Sequence, residues 1–260
     1  MKLPVIIAVT SGALVIGVVS MFGKVASAPP VEVEMAGFAT NLEGRSSSQR
    51  HNAHLAAVEL NGAIIPAHGT FSFNKVVKSW SVDRGYVKAP VSYDGELIRA
   101  FGGGVCQAST TLYNVALLSG MKILERHPHV FAPHYIPPGR DAAVAHPSID
   151  LRFKNPYSWP IRIKAVAKGD RLDVRFFGRH APTMKYEVDT LLLTDSQPAS
   201  KTRLISDEHS VGPTRSPGTG GCRVVAYRVR WDTKGSPIRE RLSDNTYPAM
   251  NRIVRIREGD

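Results

Sequence analysis

Residues 101–114 read Phe-Gly-Gly-Gly-Val-Cys-Gln-Ala-Ser-Thr-Thr-Leu-Tyr-Asn, which sets Cys106 behind three consecutive glycines and ahead of a helical period. A cysteine in the first turn of a helix meets unpaired backbone N–H groups and the positive end of the helix dipole, and both stabilise a thiolate. Gly102, Gly103 and Gly104 allow unusual dihedrals and let another backbone, such as a substrate main chain, come close. A nucleophile also needs a base, and His127, His129, His134 and His146 follow downstream with Asp141 and Asp150 among them. Cysteine at a helix start, then histidine on a strand, then an acid or amide is the order found in papain-like and transglutaminase-like folds. Three other readings of Cys106 stand beside it: a small buried residue, half of a disulfide with Cys222, or a zinc ligand with His127 and His129. No C-x-x-C or H-E-x-x-H spacing accompanies the metal reading. The glycine run lacks the Lys and Ser/Thr of a phosphate loop, so neither a nucleotide nor any other cofactor is expected.

The elements that must position these residues can be read from periodicity and capping. Leu112, Val115, Ala116 and Ser119 share a helix face, and Gly120 sits where a helix stops. Upstream, Ser46 and Gln49 form a capping box for a second helix, with Ala53, Ala56, Ala57, Leu60 and Ile64 on one face and Asn61-Gly62 at its end. A strand is expected at 31–38, and a short extended piece at 69–74 with Phe71 and Phe73 on one face. A hairpin at 87–98 would turn at Tyr93-Asp94-Gly95. Strands follow at 122–125, 130–136, 142–146, 149–153, 161–166 and 172–177, the last two joined by Lys168-Gly169-Asp170. A looser Ser/Thr/Gly/Pro-rich stretch at 194–221 leads into strands at 223–231 and 238–242. The fold class is therefore α+β: two main helices, then a predominantly antiparallel β-sheet, compatible with a transglutaminase- or papain-like core that holds the cysteine at a helix N-terminus.

Composition and the N-terminus bear on location. The chain has 260 residues, 43% of them hydrophobic and 21% charged, with a formal net charge of +11. Residues 3–22 carry no charge, and Ala26-Ser27-Ala28 follow as a small-x-small pattern, so residues 1–28 are expected to be a cleaved signal peptide or a retained membrane anchor. The body is then exported and works outside the cytoplasm. That makes nucleic acid an unexpected partner and points the positive charge toward anionic envelope polymers or phospholipid head groups.

Six blocks carry a resemblance: Phe-Ser-Phe-Asn at 71–74, Gly85-Tyr86, the glycine–cysteine block at 102–114, Glu-Arg-His-Pro-His at 125–129, the segment 135–144 and Asp-Leu-Arg-Phe-Lys-Asn at 150–155. In order and spacing they resemble the VanW-like family of bacterial envelope proteins. The resemblance implies an exported protein linked to glycopeptide resistance. Its implied organisation is a linker and first strand at 29–43, the VanW-like domain at 44–190, a loop at 191–221 and a C-terminal hairpin tail at 222–260. His68, Val130 and Ala143 stand where the family commonly has proline, serine and threonine. The matched blocks contain Cys106, His129 and Asp141, which makes His129 the preferred base and Asp141 its orienting acid, with His134 and His146 as substitutes. Gln107 or the Cys106 backbone N–H would serve an oxyanion, and Gly103, Gly104 and Tyr135 would flank substrate. The expected substrate is an amide of peptidoglycan or its peptide precursors, taken by acyl transfer or hydrolysis. The alternative is a non-catalytic peptidoglycan- or glycopeptide-binding module with an inert, buried Cys106.

Overall fold

The computed structural model describes residues 32–93, 96–196, 203–205, 215–216, 218–231, 234–250 and 253–255. The expected signal or anchor segment and the turn at residues 94–95 lie outside them. The chain enters through strand β1 (Val33–Asn41) and helix α1 (Ser47–Leu60), then β2 (Ile64–Ile65), β3 (Thr70–Ser72) and the short helix α2 (Phe73–Val77). Strands β4 (Lys88–Tyr93) and β5 (Glu96–Phe101) precede helix α3 (Val105–Leu118), followed by β6 (Lys122–Glu125), β7 (Arg152–Lys154), β8 (Ile161–Lys168) and β9 (Arg171–Gly178). The remainder is β10 (Tyr186–Ser196), β11 (Arg203–Ile205), β12 (Arg215–Ser216), β13 (Gly221–Trp231), β14 (Pro237–Tyr247) and β15 (Ile253–Arg255). Three α-helices and mostly antiparallel sheets make the described fold α+β; the one parallel pairing is β11 with β15.

The central sheet has the order β1-β9-β8-β2. Along β8 and β9 burial alternates, and Ile161, Ile163, Leu172, Val174 and Phe176 turn toward α1 and α3. The helices answer with Ala53, Ala56, Ala57 and Leu60 from α1 and Val105, Leu112, Val115 and Ala116 from α3. Small residues on α1 let it lie close to the sheet, while each fully buried Leu or Phe contributes about 1.5–3 kcal/mol. Helix α1 starts where expected, because the Gln49 N–H donates to Ser46 Oγ at 3.2 Å and the Gln49 side chain accepts the Ser46 N–H at 3.0 Å. The Lys168–Arg171 hairpin is formed, and β4 pairs with β5 as expected.

Several expected strands differ. Residues 130–136 and 142–146 are irregular, with single bridges His127–Ala143 and Ala145–Ile149. Pro133, Pro137 and Pro138 remove ladder donors there, and α3 side chains take up the free backbone groups instead. The expected 149–153 strand begins only at Arg152, since the Asp150 carboxylate accepts the N–H groups of Asn74 and Leu151 at 2.9 and 2.8 Å. Phe73 opens α2 rather than extending the strand, because Ser72 Oγ caps the Lys75 N–H at 3.1 Å. Strand β10 was not expected. It runs through Ser196, into the stretch read as loop, and pairs with β13 along its length.

Candidate active site

Helix α3 is buried on nearly every side: Ser109, Thr110, Thr111 and Asn114 are inaccessible along with its apolar residues. Its start is fixed by the glycines. Gly104, the N-cap, has φ 101°, and a Cβ there would lie 2.1 Å from the Gln49 carbonyl oxygen. A Cβ on Gly103 would lie 2.6 Å from the Pro90 carbonyl oxygen. The close approach expected of a substrate is thus made by the protein's own backbone, and these glycines seat α3 against α1 and β4.

Cys106 stands in the first turn of α3, partly exposed, with its thiol 3.4 Å from the Val144 carbonyl oxygen. The His129 imidazole is close enough to the Cys106 sulfur to act on its charge. The same ring presents Nδ1 to Asp141 Oδ2 at 2.7 Å, which leaves Nε2 for the sulfur. Burial by itself pushes the Cys106 thiol up, but the neighbouring His129 outweighs it and sets the thiol below its ordinary value. Burial pulls His129 down, and Asp141 and Cys106 together raise it to about 9. Asp141, which burial would push up, is lowered to about 2 by His129 and Arg126. Cysteine, histidine and aspartate are therefore coupled in one relay that favours imidazolium and carboxylate and eases loss of the thiol proton.

Asp141 is fully buried and saturated with donors. Oδ2 takes the His129 N–H and ring nitrogen, each at 2.7 Å. Oδ1 takes Arg126 Nη2 at 2.8 Å and the Tyr247 hydroxyl at 2.6 Å. Arg126 also donates to the Asp141 carbonyl oxygen at 2.6 Å and to Asn245 Oδ1 at 2.9 Å. Arg126, Asn245 and Tyr247 were not singled out in the sequence. The irregular loop carrying Asp141 is held to α3 by Ser109 and Thr110 at the Ala142 carbonyl, at 2.6 and 3.3 Å, and by Asn114 at the Arg140 carbonyl, at 2.9 Å. Their signal was available, since Cys106, Ser109, Thr110 and Asn114 recur at helical spacing on a helix too apolar to be exposed.

The other expected residues fall elsewhere. The Gln107 amide is committed to structure, donating to Thr40 Oγ1 and the Asn41 carbonyl at 3.1 and 2.8 Å and accepting from Arg45 Nε at 3.0 Å. Tyr135 flanks the site, its hydroxyl 3.3 Å from both the Cys106 carbonyl oxygen and Thr110 Oγ1. His127 turns to Glu125 at 3.1 Å, His146 lies edge-on to Trp80, and His134 is exposed. Among the described residues no group of three or more His, Cys, Asp and Glu side chains could hold a metal ion. Cys222 is a free thiol on β13, as is Cys106 on α3.

With this geometry in place, comparison with known proteins is specific. The family described as VanW-like protein matches residues 48–177, half of the chain. The chain belongs to the VanW-like family. One relative, the uncharacterized protein YoaR of Bacillus subtilis, is 35% identical over 144 residues, 55% of this chain and 48% of that protein. Another, the vancomycin B-type resistance protein VanW of Enterococcus faecalis, is 30% identical over 142 residues, 53% of this chain and 52% of that protein. The chain thus spans about half the length of the curated relatives it matches. No solved structure matches it. The VanW-like match encloses Cys106, His129 and Asp141 but ends before Asn245 and Tyr247. Among the described residues no helix is long and apolar enough to cross a membrane.

Proposed function

We propose that this VanW-like protein is an exported envelope enzyme that cleaves or transfers amides of peptidoglycan stem peptides or their precursors through Cys106, His129 and Asp141. The observation that carries the reading is the position of His129, which holds Asp141 at 2.7 Å on one ring nitrogen and lowers the Cys106 thiol beside it. The thiolate adds to the amide carbonyl carbon and the oxygen gains the charge. The backbone N–H of Cys106 is the donor for that oxyanion, since a first-turn N–H has no intrahelical acceptor. His129 passes its proton to the nitrogen as the C–N bond breaks, leaving a thioester on Cys106. Water or an acceptor amine then attacks the thioester, His129 takes the attacking group's proton, and the thiolate departs. Asp141 holds the ring in the tautomer this requires and stays ionised throughout. The local order of cysteine at a helix start, histidine and aspartate supports chemistry of the papain or transglutaminase kind.

The setting rests on separate support. The uncharged run 3–22 favours export, the charge of +11 favours anionic surroundings, and the Enterococcus faecalis relative is a vancomycin resistance protein. Purified protein and its Cys106→Ala variant incubated with muropeptides, with products followed by mass spectrometry, test the proposal. New cleavage or cross-linking products from the unaltered protein alone are expected. Identical product profiles would leave a binding module in its place.

A further inference from the structure

Two arginines beside this site lack the partners that buried arginines elsewhere in the fold possess. Arg126 is paired with Asp141 and Arg228 with Glu240. Arg45 and Arg140 are also partly buried, yet neither has a carboxylate partner among the described residues. Each is fixed in the same way. Arg45 Nε donates to Gln107 Oε1 at 3.0 Å and its guanidinium lies over the Tyr135 ring, 4.7 Å from the centroid. Arg140 Nε donates to Asn114 Oδ1 at 2.8 Å and its guanidinium lies over the Phe38 ring at 5.1 Å. In both, the Nε edge and one face are occupied, while the two Nη groups make no hydrogen bond to the described residues. A fork so held is pre-organised for a carboxylate. Burial lowers both guanidiniums, a cost that an anionic ligand would offset.

The two forks belong to one seam. Gln107 and Asn114 are seven residues apart on α3, two turns along one face, a separation of about 10 Å. Opposite them on β1, Thr40 contacts Gln107 and Thr111 while Phe38, two residues away on the same strand face, stacks with Arg140. Tyr135 joins the seam to the Cys106 carbonyl and to Thr110. We infer that the seam between α3, β1 and residues 134–140 binds an acidic peptide, with one carboxylate at Arg45 and a second at Arg140. This rests on the proposed peptide substrate and narrows it to chains carrying acidic groups on one side of the amide that meets Cys106.

The test uses the full chain with Cys106→Ala, which cannot turn over substrate, so binding is read apart from catalysis. Calorimetric titration would use acetyl-Glu-Gly-Gly-Glu-amide, whose carboxylates can span about 10 Å, beside its Gln-Gly-Gly-Gln counterpart and a poly(glycerol phosphate) chain. The acidic peptide should bind at least about tenfold more tightly than the amide form, and Arg45→Gln and Arg140→Gln should each remove about that factor. Arg45→Lys and Arg140→Lys keep the charge and should retain more binding than the Gln variants, which separates recognition from misfolding. Equal binding of the two peptides, unchanged binding in the Gln variants, or binding of the phosphate polymer alone would overturn the inference. Failure here would leave the turnover comparison of unaltered protein and Cys106→Ala intact, and failure there would leave this binding result intact.

Discussion

The Tyr247 hydroxyl donates to Asp141 Oδ1 at 2.6 Å, joining strand β14 to the Cys106–His129–Asp141 relay across 106 residues of sequence. Tyr247 is 1% exposed, and its hydroxyl in turn accepts the Gly139 N–H at 2.9 Å. The C-terminal hairpin, outside the family match, therefore completes the support of a carboxylate inside it. Asp141 already has Arg126 and His129, so Tyr247 acts by fixing the position of the carboxylate.

Tyr247→Phe removes one donor from a buried carboxylate and leaves the Gly139 N–H unpaired, which should cost about 1–3 kcal/mol of stability in a denaturant titration. With one donor fewer, the Asp141 pKa rises. The carboxylate that orients His129 is then less firmly placed, and kcat should fall about tenfold with KM little changed. A variant that loses stability while keeping kcat unaltered would show a purely structural tyrosine.

The relay makes a specific statement about stability and pH. His129, raised from 6.5 to about 9, taken alone stabilises the fold fully below about pH 6.5 and loses that contribution as pH rises through 9. Cys106, lowered from 9.0, taken alone contributes above pH 9 and loses it as pH falls through its lowered value. The two oppose each other, since one contribution is lost as pH rises and the other as pH falls. The pair should therefore leave a shallower slope near neutrality than either group alone would give. Asp141 supplies the slope, because its contribution is present above 3.8 and disappears as pH falls toward about 2. Urea midpoints should slope gently near neutrality and fall in acid, with a shallower acid fall in Asp141→Asn.

Gly104→Ala should be among the most damaging single-methyl changes in the chain. The new Cβ would stand 2.1 Å from the Gln49 carbonyl oxygen, at a φ of 101° that L-residues rarely adopt. Relief requires moving α3 away from α1, so a loss on the order of 3 kcal/mol or more is expected from thermal unfolding. Gly169→Ala is the matched control. That turn glycine also has positive φ but nothing within 4 Å of the added methyl, and its loss should be nearer 1 kcal/mol.

What was legible in the sequence follows from locality. The Ser46–Gln49 capping box, the Gly120 stop and the Lys168–Arg171 hairpin depend on neighbours within a few residues, and each is present in the fold. Cys106, His129 and Asp141 come from matched blocks, and the fold bonds His129 to Asp141 at 2.7 Å. Residues 130–136 and 142–146 read as two strands, since Val130, Phe131, Tyr135 and Ile136 suggest extended pairing. The actual partners of this segment are Ser109, Thr110 and Asn114 on a helix, which no local pattern reveals. Gln107 suggests a donor to substrate because it follows the cysteine, yet helical geometry sends it toward β1 and Arg45. Tyr247 was illegible for a similar reason, since its partner lies 106 residues away.

The account stands on an activated Cys106, and the rate of Cys106 alkylation as a function of pH measures that directly. Cys222→Ser should be the background, because Cys222 is a second free thiol, raised rather than lowered, by burial and the charge of Asp195. Alkylation of Cys106 is expected to inflect below 9.0, and His129→Ala should slow it at pH 7 by at least about tenfold as burial pushes the thiol back up. An ordinary thiol profile that is the same with and without His129 would contradict the account.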